Sequence, residues 1–136
     1  MTQEQDWQEK YQQFQMLQEH IEEMTHHVQM LSQQSEELEI SKNALIELAK
    51  TAEGTEILAP ISDGIFIKSN LVDNKKVIVN VGSNTTVERT IPEAVTLLEQ
   101  EHEKLRKRVV DAEAMLQNLH QKTMKIYQEV EAGEQN

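Results

Sequence analysis

Apolar residues in the first fifty positions fall into two interleaved sevenfold series. Trp7, Phe14, Ile21, Val28, Ser35, Lys42 and Ala49 make one, and Leu17, Met24, Leu31, Leu38, Leu45 and Ala52 follow it by three places. This spacing is a heptad seam, the mark of a helix that packs lengthwise against another helix. No Gly or Pro interrupts residues 3–53, so one helix is predicted over 1–53, with Gly54 placed as its left-handed C-cap. A second seam runs through Val95, His102, Val109, Leu116, Thr123 and Val130, with Leu98, Leu105, Ala112, Leu119 and Ile126 as its other line. Thr90-Ile91-Pro92-Glu93 opens it as a capping box, and Gly133 lets it fray beyond about residue 131.

Between the seams the period changes to two. Residues 56–61, 64–72, 76–81 and 85–90 read as short strands, with turns at Ser62-Asp63-Gly64, Asp73-Asn74-Lys75 and Gly82-Ser83-Asn84. Val77, Val79 and Val81 alternate onto one face. The predicted chain is α+β: a helix over 1–53, two β-hairpins over 54–90 and a helix over 91–136. Folded back as an antiparallel coiled coil, the helices carry both termini to the tip remote from the strands. Seam partners then have residue numbers adding to about 147 or to about 140. The first register sets Leu31 against Leu116, the second against Val109. Both leave Trp7 without an apolar mate and collect Trp7, Tyr11, Phe14 and Tyr127 at one end, beside Met16, Leu17, Met124 and Val130. Two readings follow: a coil that continues or buries itself against a partner helix, or an apolar patch that grips apolar polypeptide. Ser35, Lys42, His102 and Thr123 interrupt the seams, which is local packing rather than chemistry.

Composition narrows the function. The 136 residues are 38% hydrophobic, 4% aromatic and 27% charged, a thin supply for a compact core. The net charge of −11 repels phosphate backbones and anionic membranes, so neither nucleic acid nor membrane is an expected partner. It is unevenly spread, with 11 acids and 3 bases in residues 1–53, 4 and 4 in 54–90, and 9 and 6 in 91–136. The arms carry the acidity, while the neutral Val/Ile-rich hairpins are prone to associate through their edges. With no cysteine, no export signal in the first twenty residues and no long apolar run, the chain is expected to be soluble and cytoplasmic.

Catalysis is not expected. Glu22-Glu23 and Glu36-Glu37 are helical neighbours that point apart. His20, His26, His27, His102 and His120 form no metal-ligand pattern, and no phosphate-binding GxxxxGK[ST] occurs, so no metal and no cofactor are expected. The bases at Lys104, Arg106, Lys107 and Arg108 are flanked by acids and read as a charged helix face. The Gln-rich start keeps an apolar period and reads as solvated helix.

The middle of the chain carries a resemblance. Glu56-Ile57-Leu58-Ala59-Pro60-Ile61-Ser62-Asp63-Gly64-Ile65-Phe66-Ile67 is similar to a strand-Pro-turn-strand segment of the prefoldin family. Lys76-Val77-Ile78-Val79-Asn80-Val81-Gly82 followed by Val87-Glu88 resembles that family's second hairpin. Two hairpins rather than one resemble the alpha class of its archaeal members. The resemblance implies that the hairpins of six subunits join as β-barrels in an α2β4 hexamer with beta subunits. Here the assembly residues would be Ile57, Leu58, Ile65, Phe66, Ile67, Val77, Ile78, Val79, Val81 and Val87. It further implies ATP-independent holding of unfolded proteins at the coil tips and delivery to a group II chaperonin. By position, the client contacts would be Trp7, Tyr11, Phe14, Met16, Leu17, Met124, Ile126, Tyr127 and Val130. The rivals are a coiled-coil tether and a filament-forming alpha-like member.

Overall fold

The computed structural model describes residues 3–134. Helix α1 spans Gln3–Lys50, strands β1 to β4 span Glu56–Ser62, Ile65–Asn70, Lys76–Gly82 and Thr85–Thr90, and helix α2 spans Ile91–Glu134. The chain divides into two compact units. One takes its residues up to Ser35 from α1 and from Lys104 onward from α2; the other is Glu36–Glu103.

In the first unit the helices lie antiparallel, and the seam of α2 is the predicted one. Leu105, Ala112, Leu119 and Thr123 are buried there, facing Ile21 and Leu31 of α1. Thr123 is tolerated because its hydroxyl donates to the Leu119 carbonyl at 2.9 Å. The second of the two registers is the one adopted. Lys10 pairs with Glu129 across this unit, and within the other unit Lys42 pairs with Glu99 and His102 with Glu39; these numbers add to within one of 140. Ile21 therefore opposes Leu119, and Phe14 opposes Ile126.

Departures from the expected boundaries occur at the helix ends. α1 stops at Lys50, not Glu53, and the seam predicted at Ala49 and Ala52 turns outward while Leu48 takes the half-buried place. A straight helix has 3.6 residues per turn, so a strict seven-residue pattern drifts, and the larger side chain wins the inner position. Gly54 is left-handed (φ 88°), yet it does not cap α1. It lies third in the turn Ala52–Thr55 and donates its N–H to Leu71 O at 2.7 Å. The helix end is closed instead by Thr51, whose hydroxyl donates to Glu47 O, and by Asn74, whose side-chain amide donates to Thr51 O at 3.0 Å. At the start of α2 the Thr90 hydroxyl accepts the Glu93 N–H at 3.2 Å, while the Glu93 carboxylate faces Arg89 at 3.9 Å. The far end of α2 continues through Gly133 to Glu134 rather than ending near 131.

The strands form two separate antiparallel hairpins, β1–β2 and β3–β4. Both ladders break register one residue before the turn, at Ile61 and at Val81. β2 begins at Ile65 and ends at Asn70, shorter at both ends than the predicted 64–72. Gly64 (φ 79°) turns the first hairpin; Ser83 and Asn84, both at positive φ, turn the second as a two-residue loop. The hairpins repeat each other at an offset of twenty residues, from strand bounds to bulge. The flanking backbone bonds repeat as well: Leu71 N–H to Thr55 O and Ile91 N–H to Lys75 O, each 2.9 Å. The equivalent residues Leu71 and Ile91 are both buried and, with Ala94, make the core of this unit.

Candidate functional site

No large side chain among the described residues is fully buried, so the apolar groups left outside are the candidates for function. Two groups of them stand out, one in each unit, while Met30, Ile40, Ile46, Leu97, Val110 and Met115 are exposed elsewhere along the helices.

Heptad packing places the first. Trp7 lies at a seam position whose partner is Gly133, which has no side chain to cover it, and the indole remains 44% exposed. One turn later Tyr11 stacks on it, rings 5.8 Å apart and nearly parallel at 3°. Met16, Met124 and Tyr127 are also exposed, whereas Phe14, Leu17, Ile126 and Val130 are half-buried in the seam. Of the residues expected to touch clients, the first group is exposed and the second is half-buried. Two clefts open here. One of about 570 Å³ is lined by Glu4, Asp6, Trp7, Lys10, Glu129 and Val130. The other, about 370 Å³, is lined by Gln13, Met16, Leu17, His20, Lys122 and Ile126.

The hairpins make the second surface, and strand alternation divides their residues by role. Ile57, Val77, Val79 and Val87 are half-buried, and Val77 and Val79 face Leu45, Leu48, Ala94 and Leu98 across an apolar groove of about 530 Å³. Leu58, Ile65, Phe66, Ile67, Ile78 and Val81 are exposed, Leu58 by 61% and Ile78 by 67%. The ten residues expected to act in assembly are therefore not equivalent. The first four hold the unit's own packing, and the other six leave apolar area exposed. Ile61, exposed at the first bulge, belongs with those six, and Val72, 88% exposed, adjoins the buried Leu71. Neither the heptad seams nor the strand alternation singles out Leu71 or Ile91. The twenty-residue repeat, with Ile61 matching Val81 and Leu71 matching Ile91, is the signal that locates them.

Among the described residues no group of three His, Asp or Glu side chains is arranged to hold a metal. Nor is any described helix long and apolar enough to cross a membrane. One unit is a helix pair with an exposed aromatic and thioether end, the other holds two hairpins with apolar outer faces, and together these elements define a helix–hairpin–hairpin–helix coiled-coil class.

Comparison with known proteins supplies the family. The sequence model described as "Prefoldin subunit" matches residues 4–135. The chain is 36% identical over 88 residues to prefoldin subunit alpha of Pyrococcus horikoshii, covering 64% of this chain and 60% of that one. It is 29% identical over 142 residues to prefoldin subunit alpha of Archaeoglobus fulgidus, covering 99% and 98%. The cryo-EM structure of filamentous PFD from Methanocaldococcus jannaschii matches the fold with a TM-score of 0.78 at 24% identity, over 88% of this chain and 98% of that one. The chain belongs to the prefoldin family, whose members are non-enzymatic chaperone subunits, and its relatives are the archaeal alpha subunits. It spans under two thirds of the Pyrococcus relative and 65% of the Thermofilum pendens one, while matching nearly the full length of the Archaeoglobus protein.

Proposed function

We propose that this chain is the alpha-type subunit of a cytoplasmic, ATP-independent holding chaperone. The hairpins join it to beta-type subunits in an α2β4 hexamer. The exposed side chains at the terminal end of the helix pair hold unfolded polypeptide, which passes on to a group II chaperonin. The observation that carries the reading is the Trp7–Tyr11 stack standing open to solvent beside Met16, Met124 and Tyr127. Aromatic and thioether surface costs free energy in water unless something covers it, and flexible Met side chains adapt to varied apolar partners.

A complex reconstituted with a beta-type subunit should suppress aggregation of a denatured protein without ATP. Trp7→Ser, Tyr11→Ser and Met16→Ser in combination should weaken that protection while leaving the size of the complex unchanged. Undiminished protection would remove the capture role and leave a tether. The filamentous state of the Methanocaldococcus relative favours a second reading, assembly of this chain with itself. Light scattering of the chain alone separates the two: long particles without a beta-type partner mean filament, and growth to a discrete particle only after mixing means hexamer.

A further inference from the structure

The two clefts of the terminal unit differ in character yet share one flank of the helix pair. Asp6, Gln13 and His20 occupy the same heptad position, one before the seam, and Lys122 and Glu129 occupy the same position on α2. In an antiparallel coil those positions face each other along one flank. The cleft around Trp7 and the cleft around Met16 and Leu17 therefore share a border on this flank, which joins them as a groove, while Glu4 and Gln8 carry the first cleft over the seam to the opposite flank.

Charge separates the parts. Glu4, Asp6 and Glu129 line the first, and its single base, Lys10, sits 3.7 Å from Glu129. That leaves a net negative cleft floored by an indole. The second contains no carboxylate; Met16, Leu17 and Ile126 supply its apolar walls, beside Lys122 and His20. A carboxylate-rimmed indole attracts Lys and Arg by Coulomb and cation–π terms together. From Trp7 to Leu17 the helix rises about 15 Å, which an extended polypeptide spans in about 4–5 residues.

We infer that this groove selects unfolded segments in which a Lys or Arg stands about 4–5 residues from a cluster of aliphatic side chains, the cation at Trp7 and the aliphatic cluster at Met16, Leu17 and Ile126. This selectivity rests on the capture of unfolded chains proposed above. Segments carrying Asp or Glu at the same distance are disfavoured by Glu4 and Asp6.

The test measures fluorescence anisotropy of the assembled complex with labelled peptides that share one aliphatic cluster and carry Arg, Gln or Glu at that distance. Arg should bind about fivefold more tightly than Glu at low salt, the size expected of exposed ion and cation–π pairs, and the ratio should shrink at high salt. Glu4→Gln with Asp6→Asn should bring the Arg and Glu peptides together without weakening the Gln peptide. Trp7→Leu, which keeps part of the apolar contact, should lower the affinity for Arg more than for Gln or Glu and so shrink the Arg-to-Gln ratio. Equal affinities of the parent complex for Arg and Glu, with all three peptides bound, would overturn the selectivity and leave capture standing. Failure to bind any of them would overturn the capture itself.

Discussion

At the scale of single residues, the pairing of the helices depends on a few side chains buried without surplus. Leu119 is 6% exposed and sits opposite Ile21 in a seam one residue wide, where the backbone has little freedom to close over a cavity. Leu119→Ala should lower the stability of the helix pair by about 2–4 kcal/mol, read from the thermal midpoint by circular dichroism. Thr123 gives the opposite case. Its hydroxyl bonds a carbonyl that α2 already engages, so Thr123→Val should cost nothing, and a gain of about 0.5 kcal/mol is expected from the apolar surroundings. Two glycines separate conformation from volume, because neither has an atom within 4 Å of an added Cβ. Gly54→Ala should destabilise by about 1 kcal/mol through its left-handed φ alone, whereas Gly133→Ala, in the last turn of α2, should stabilise by about 0.3 kcal/mol. Opposite shifts in urea midpoint would bear this out; shifts of one sign would not.

At the scale of elements, the sequence was legible where one period dominated. The α2 seam from Val95 to Val130 could be read whole, because all its residues are apolar except Thr123, which bonds within α2, and His102, which faces Glu39 of α1. Each strand of the hairpins could be located because Gly64 and the Ser83-Asn84 pair mark the turns. The end of α1 was not legible. Whether Leu48 or Ala49 faces inward depends on how far the helix has drifted from the sevenfold pattern, and Asn74, which closes the helix end, lies 23 positions downstream. The register was open for a related reason: apolar partners exist in both arrangements. The choice shows in polar pairs such as Lys10 with Glu129, which residue type alone does not rank. The terminal aromatic group could be named from the missing partner of Trp7, but its division into exposed and supporting members required the burial of Phe14 and Leu17.

At the scale of the whole molecule, the acidity of the helices and the neutrality of the hairpins allot different work to them. Charged helix surfaces resist lateral association, while hairpins with exposed Leu58, Phe66 and Ile78 invite it. Ile78→Asp should prevent formation of the complex with beta-type subunits while leaving the helical circular dichroism intact, since Ile78 is 67% exposed within its own chain. Val79→Asp is a less specific probe, because Val79 is half-buried in the groove against α1 and α2, whereas Ile78 at the edge of the same groove keeps most of its surface outside. A complex of unchanged size with Ile78→Asp would show that assembly runs through some other surface.

The central claim is that unfolded polypeptide is held at the exposed aromatic and thioether end of the helix pair, and site-specific photo-crosslinking tests it most directly. A photoreactive side chain would be placed at position 11, 16 or 124, and in separate chains at position 58 or 78, each in the assembled complex with a denatured client. Adducts to the client are expected from 11, 16 and 124, and adducts to neighbouring subunits from 58 and 78. Client adducts from the hairpin positions and none from the terminal ones would contradict the account.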